Sequence, residues 1–490
     1  MQTTNTQQLL TMVFDQGSHA SRIALFSETG QLVYLQSEKI SSHSPEQGRF
    51  EQDANEILGS LLKLVEALPT ELTRKIHNCC MCTQRSSVVA WHKQTGDPLS
   101  PVISWRDLRN QSFLDTIKTS GLNIQKITGL PLSAHYSAAK MHWLLHNNKD
   151  VKHAAEELQL CIAPLSSFLL FHLLEDQPFI IDHSNAQRSL LFDIVNLDWS
   201  AELLDLFQIN RLFLPDCQPV IYNYGKFKHF NIPMTAVSGD QNAALHAYPS
   251  MQENNALINI GTGAFVLSTS AEINDPAKLL RSIASSQNNH VQYITEGTVN
   301  GAGNAISWAI NKFNINAEPA NEQNVFTQLP GWLSTTSSPP VFINTVSGLG
   351  SPWWCSGAAA DIIYDNEPTQ AEYFVAIIES IIFLLFNNIQ QLKQPPETIF
   401  ISGGLAQLDG LCQKLADLSQ ANVQRFTETE TSARGCAWLA NQLDNNVGTK
   451  HHLLWQELIV ETQFNPANNP EILQRYRQLV GELQKRCYND

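Results

Sequence analysis

One arrangement occurs twice in this chain, near its start and just past its middle. Met12-Val13-Phe14 runs as an apolar strand into Asp15-Gln16-Gly17-Ser18-His19, and beyond Arg22 the apolar Ile23-Ala24-Leu25-Phe26 leads away. Leu257-Ile258-Asn259-Ile260 runs likewise into Gly261-Thr262-Gly263, and Ala264-Phe265-Val266-Leu267 leads away. Each reads as strand, glycine turn, strand, which is a hairpin. Glycine at a strand end lets backbone N–H groups approach an anion, and a neighbouring hydroxyl adds a donor. Two such hairpins suit a polyphosphate held by two duplicated α/β domains with a cleft between them. The 490-residue length exceeds what one hydrophobic core usually fills, so two domains are expected.

The second hairpin closes residues 235–269, a stretch that begins with another strand and ends it on Ser238-Gly239-Asp240-Gln241. Asp240 is placed to take a proton from a group that attacks a phosphate. Between the two features residues 249–255, PSMQENN, are polar turn formers without periodicity and read as a hinge. The expected division is therefore 1–248, 256–445 and a helical extension over 446–490. That extension carries Pro470 at a first helical position and an apolar stripe at 472, 476, 479, 480 and 483. The stripe either packs on the body or serves a homodimer.

Lys+Arg 31 against Asp+Glu 46 leaves a net charge of −15, without the basic stripe that tracks a nucleic-acid backbone. The first residues, MQTTNTQQLLTMVFDQ, lack the parts of a secretory signal, and the apolar run 374–386 is too short to span a bilayer. It reads as a buried helix, and a cytoplasmic protein without membrane or nucleic-acid partners is expected. Nine cysteines scattered along such a chain fit reduced thiols, and Cys79-Cys80-Met81-Cys82 lacks the second pair of a metal site.

Other segments place polar residues at strand ends and helix starts. Asp53 reads as a helix cap with Glu56 closing a capping box, and Ser137 as the cap of SAAKMHWLLHN. Gln84-Arg85-Ser86 and Trp105-Arg106 follow strands, where open α/β sheets bind ligands. An arginine fork bonds hydroxyls and a tryptophan face packs on the C–H side of a polyol. His135 lies just before the 137–147 helix. Residues 182–185, Asp-His-Ser-Asn, form a loop, and GTVNGAG at 297–303 and ISGG at 401–404 feed helix N-termini suited to phosphate or ribose.

Taken in order, DQGSHASR, GRFEQD, TQRSSVVAW, TGLPL, DHSNAQRSLLF, GDQNAAL, GTGAF, EGTVNGAGNAISW, GLGSPWW, ISGGLAQ and TSARGCAWLA resemble the FGGY carbohydrate kinases, and among them the glycerol kinases. The likeness is collinear from about residue 12 to about residue 445 and implies two actin-like, ribonuclease H-like domains with ATP between them. It implies transfer of the γ-phosphate to a hydroxyl of a small polyhydroxylated substrate, with Mg²⁺ as cofactor. By this likeness Asp240 is the general base and, with Gln241, binds the acceptor, whose wall continues through Arg85, Ser86, Trp105, Arg106 and His135. Asp15 positions the metal, usually through water. Gln16, Gly17, Ser18, His19 and Arg22 fall on the first phosphate hairpin and Gly261, Thr262 and Gly263 on the second. Gly303, Ser307 and Gly404 fall where the family binds the nucleotide.

The departures lie where the acceptor is chosen. Ser86 stands where the glycerol kinase pattern has Glu, His135 where it has Tyr, and Arg106 where it has Gln. On the nucleotide side His19 replaces a hydroxyl residue and Leu408 an Asn. A shorter side chain at 86 leaves room for a longer polyol or ketose, and an arginine at 106 could meet a hydroxyl or an acid group. Two other classes share parts of the pattern: a sensor that kept the fold and lost turnover, and an actin-like ATPase, which would lack the sugar wall.

Overall fold

The computed structural model describes residues 9–46, 48–270, 278–312, 320–355, 359–443 and 455–487. The expected extension from 446 to 454 and the first eight residues lie outside them. The chain forms two compact units. The first comprises residues 1–250, 282–293 and 430–457, and the second 251–281, 294–429 and 458–490. The chain passes from one to the other at Ser250 and Met251, within the expected hinge segment. Residues 430–457, with 430–445 expected in the second domain and 446–457 in the extension, belong instead to the first unit.

The first unit is built on a six-stranded sheet of β1 (Leu10–Gln16), β2 (Ala20–Ser27), β3 (Leu32–Lys39), β4 (Ile76–Thr83), β5 (Ile221–Phe227) and β6 (Ile232–Gly239). Its order is β5-β6-β4-β1-β2-β3. β1 is buried at every position, as an apolar run covered on both faces requires. It runs parallel to β4, which runs parallel to β6, while β2 returns antiparallel beside β1. The small thiols of Cys79, Cys80 and Cys82 fill the interior around β4. Among the described residues no group of three or more His, Cys, Asp or Glu is placed to hold a metal.

A seven-stranded sheet comprises β7 (Asn255–Ile260), β8 (Ala264–Ser270), β9 (Leu280–Gln287), β10 (His290–Val299), β11 (Thr398–Ser402), β12 (Asn422–Phe426) and β13 (Val460–Phe464), in order β9-β10-β8-β7-β11-β12-β13. It belongs to the second unit except for residues 282–293 of β9, β10 and their turn, which are grouped with the first. The hairpin β7–β8 is antiparallel, β7 runs parallel to β11 and β11 to β12, and β13 closes antiparallel. The first sheet repeats this grammar through β2-β1-β4-β6-β5. The weak sequence repeat is thus a repeat of topology.

The Gln370–Ile389 helix, the one described segment long and apolar enough to cross a membrane, is 94% buried in its apolar window. Its Glu379, 1% exposed, is held by Lys414 at 2.9 Å and by Arg475 at 2.7 Å. Arg475 lies on the terminal Pro470–Cys487 helix, whose Ile472, Tyr476, Leu479 and Leu483 are buried in the unit's core. The final segment is therefore no separate helical extension: it contributes an edge strand and a core helix. Its stripe is covered within the unit. Cys487 of this helix is joined to Cys355 by a disulfide, so these two thiols depart from the reduced state expected for all nine.

Two caps differ from expectation. Asp53 does cap the Ala54–Glu66 helix, accepting from Asn55 and Glu56 N–H, but Glu56 accepts from Ser41 N and leaves the box open. Ser137 is the first helical residue rather than the cap, and its hydroxyl donates to Ser86 O at 3.1 Å.

Candidate active site

In the first unit two carboxylates end parallel strands. Asp15 is 5% exposed near the end of β1, with Arg22 Nη1 at 3.2 Å and the Cys82 thiol donating at 3.4 Å. Burial pushes its pKa up, and Arg22 opposes the shift. Asp240 follows β6 directly and starts the short Asp240–Ala244 helix. Its Oδ1 accepts from Gln241 N at 2.7 Å, and Arg85 Nε stands 3.6 Å away. Burial again raises the pKa, with Arg85 pulling it back, yet 28% of the side chain stays open to solvent.

The turn after β1 is tied to its surroundings. Gly17 N donates to Ala20 O at 3.0 Å, and Gln16, fully buried, donates to Gly17 O at 2.7 Å. Ser18 Oγ accepts from Trp105 Nε1 at 2.9 Å. Gln84 binds both Gln16 Oε1 and Gln52 Oε1 through one amide nitrogen, at 3.1 and 3.0 Å. Gln84, read from the sequence only as part of a ligand-binding strand end, and Gln52, given no role there, thereby hold the Gln16 amide. His19 is exposed at the turn's tip.

The expected acceptor wall is partly assembled. Arg85 donates to Asn242 Oδ1 at 3.0 Å. Ser86 sits at φ +63°, a conformation that non-glycine residues adopt under local constraint. It is fully buried, and its hydroxyl has no hydrogen-bond partner within the protein. The Trp105 and His135 rings lie 5.4 Å apart. The loop carrying His135 is pinned from below by Lys140, whose ammonium donates to the carbonyls of Ala134 (3.0 Å), His135 and Tyr136 (3.2 Å). Burial pushes the Lys140 pKa down to about 7. Arg106 stands apart: its guanidinium lies 4.3 Å over the Phe50 ring.

In the second unit the polar residues gather where β7 and β11 end side by side, Asn259 opposite Ser402. Gly261, Thr262 and Gly263 form the turn after β7, with Gly261 N donating to Gly263 O at 2.9 Å. The Gly303–Lys312 helix starts against this turn, Gly303 N donating to Gly261 O at 3.0 Å. A Cβ at Gly303 would meet that oxygen at 2.7 Å, so only glycine allows the approach. Ser307 lies one turn along the same helix. Gly403 has φ +95°, and beside Gly404 nothing lies within 4 Å of where a Cβ would be. A turn rich in N–H groups, a helix N-terminus and an open glycine edge can cradle a nucleotide phosphate. Leu408, expected on this wall, is buried in the core at 7% exposure.

Comparison with known proteins agrees with this geometry. Residues 10–245 match the model of the FGGY family of carbohydrate kinases, N-terminal domain, and residues 256–442 match its C-terminal domain. A glycerol kinase of Bacillus anthracis is 30% identical over 443 residues, covering 87% of this chain and 88% of that protein. Plasmodium falciparum glycerol kinase with ADP superposes with a TM-score of 0.84 at 23% identity, covering 97% of this chain and 98% of that one. A xylulose kinase from Lactobacillus acidophilus does so with 0.80 at 19% identity, covering 97% of both. With both family models matched in order, the chain belongs to the FGGY family of carbohydrate kinases.

Proposed function

We propose that this kinase transfers the γ-phosphate of ATP to a hydroxyl of a small polyol or sugar, with Asp240 as general base. The observation that carries the reading is Asp240 itself: a carboxylate at a strand end, beside Arg85, held from its own backbone and still open to solvent. Acceptor contacts are assigned to Arg85, Ser86, Trp105, Arg106, His135, Asp240 and Gln241. Phosphoryl transfer needs little covalent help from protein groups, so the residues' main work is alignment and charge compensation. Asp240 takes the hydroxyl proton, and Arg85 favours its ionised form against the burial that raises its pKa. ATP contacts are assigned to Gln16, Gly17, Ser18, His19 and Arg22 in the first unit. In the second they are assigned to Gly261, Thr262, Gly263, Gly303, Ser307 and Gly404.

Asp15 suits a Mg²⁺ bound with nucleotide. Among the described residues no group of three or more His, Cys, Asp or Glu is gathered as a metal site, which matches an ion held by one carboxylate that keeps waters and phosphate oxygens as its other ligands. When bound, the ion neutralises charge on the transferring phosphate.

Ser86 bears on which acceptor is taken. A buried hydroxyl without a protein partner costs free energy unless a ligand satisfies it. The Ser86 hydroxyl is closed off in this conformation, so it meets a substrate hydroxyl only when the wall around it shifts on binding, and the residue's assignment rests on its place beside Arg85. Arg106 stacks on Phe50, which fixes the plane of its guanidinium but leaves its N–H donors available, and it is assigned to the acceptor wall with the others. The relatives named above are glycerol kinases, and glycerol is the second reading. A coupled ADP assay across three- to seven-carbon polyols, ketoses and sugar acids should give the highest kcat/KM to an acceptor longer than glycerol. Glycerol ranking first would establish the second reading instead. Asp240→Asn should lose about 10²–10⁴-fold in kcat while still binding ATP; wild-type turnover in that variant would remove Asp240 from its role.

A further inference from the structure

We infer that Asp182 and Ser184 are positioning residues for Asp240, setting the backbone from which the base projects; this rests on the base assignment above. Beyond Val237, whose N–H donates to Val220 O at 3.0 Å, β6 has lost its neighbouring strand on that side. The next N–H with the same orientation is that of Gly239, because strand residues alternate. It donates to Ser184 Oγ at 2.9 Å. A side-chain oxygen thus continues the ladder at the residue immediately before Asp240.

What orients that oxygen is Asp182, at the end of the Ile180–Asp182 strand and fully buried. Ser184 Oγ–H donates to Asp182 Oδ2, which leaves the hydroxyl's lone pairs for Gly239 N–H. Asp182 also accepts from Asn185 N at 3.0 Å and from Asn185 Nδ2 at 2.8 Å. The fixed Asn185 amide in turn accepts from Thr83 Oγ1 at 3.3 Å. Thr83 lies opposite Gly239 in the β4–β6 register and two residues before Arg85. One buried carboxylate therefore secures the ends of both strands that deliver Asp240 and Arg85.

The separation of these two groups is sensitive to Gly239. A Cβ there would lie 2.7 Å from Arg85 Cδ, so the strand end and the arginine already touch. A shift of the Gly239 backbone would move Asp240 relative to Arg85 by a fraction of an ångström, misaligning the base while leaving the rest of the acceptor wall and the nucleotide contacts proposed above in place. The signature of positioning is thus a loss in kcat with KM preserved.

The test compares Ser184→Ala, Ser184→Thr, Asp182→Asn and the control Asp240→Asn by steady-state kinetics, with ATP binding measured by titration. Ser184→Ala should lower kcat by roughly 10–100-fold with acceptor and ATP KM within about threefold. Ser184→Thr, which keeps the hydroxyl, should recover kcat to within about threefold of wild type by the same reasoning. Asp182→Asn, nearly isosteric, should show the same split as Ser184→Ala. A folded Ser184→Ala or Asp182→Asn enzyme with wild-type kcat overturns the inference, as does a loss confined to KM or a threonine no better than alanine. If neither variant yields protein that binds ATP, the pair is scaffold and the inference likewise falls. An Asp240→Asn enzyme with full turnover would instead refute the base assignment, so the two failures are distinct.

Discussion

Gly435 offers a direct test of whether the base depends on packing behind it. It lies in the Thr431–Ala440 helix, which belongs to the first unit and packs against the Asp240–Ala244 helix. A Cβ at this position would stand 1.8 Å from Ala243 O, 2.8 Å from Ala243 C and 3.0 Å from Ala247 N. All three are backbone atoms, so no side chain can rotate away. Restoring ordinary contact requires the two segments to part by about 1.6 Å, in an interior that packs as densely as a crystal. Overpacking of this kind costs about 1–3 kcal/mol. Because Ala243 is three residues from Asp240, the displacement reaches the base, and misplacement of roughly 1 Å costs about 10²-fold in rate. Gly435→Ala should therefore lower Tm and, per folded molecule, reduce kcat in the coupled ADP assay by about two orders of magnitude while leaving ATP affinity within a few-fold. Unchanged kcat in protein whose Tm has fallen would show that the short helix absorbs the strain and would refute the argument.

Asp182 should leave a trace in stability. Burial lifts its pKa from 3.8 to about 6, so the native state holds a proton that the unfolded chain releases. Stability is full below the unfolded value and falls as pH rises towards 6, by about 3 kcal/mol. Denaturant unfolding between pH 4 and 7 should show this slope in wild type and its absence in Asp182→Asn. Asp240, also raised, must be ionised to act, so kcat should fall on the acid side at a higher pH than an ordinary aspartate sets. Removing the Arg85 charge should move that limb higher still, and an unmoved limb would separate Arg85 from the base. Glu379→Ala leaves Lys414 and Arg475 facing an empty partner position and should destabilise by about 3–5 kcal/mol in chemical denaturation. EDTA should abolish turnover without lowering Tm, since no metal cluster supports the fold among the described residues.

The parts legible in the sequence are those whose cause is local. A glycine turn between apolar strands announces itself at 15–22 and 259–264, and the buried run at 374–386 needs only its own composition. What sequence could not show was set by partners distant along the chain. Arg106 reads as a free cation until Phe50, far upstream, is found beneath it. Glu56 has the spacing of a capping box, but Ser41 N lies within its reach and takes it. Residues 182–185 look like any polar turn, and only the approach of Gly239 gives the serine a task. One helix lies outside the linear bounds for the same reason: a helix covers whichever sheet its apolar face fits, and residues 431–440 belong to the first unit.

The two strand-end acids have different environments, and the difference favours one as base. Both are raised by burial; Arg22 opposes the shift at Asp15, and Arg85 with the weaker help of Arg188 opposes it at Asp240. Asp15 is closer to its arginine, at 3.2 Å against 3.6 Å, and its side chain is 8% exposed against 28% for Asp240. It is also bonded by the Cys82 thiol, whereas the bond Asp240 receives comes from the next residue's backbone. A carboxylate held on several sides and closed from solvent has no free approach for a substrate hydroxyl but serves well as a fixed group. One held from behind and open in front can accept a proton and release it to water. This difference supports the proposal that Asp240 takes the proton and that Asp15 serves as a stationary negative charge beside a cation.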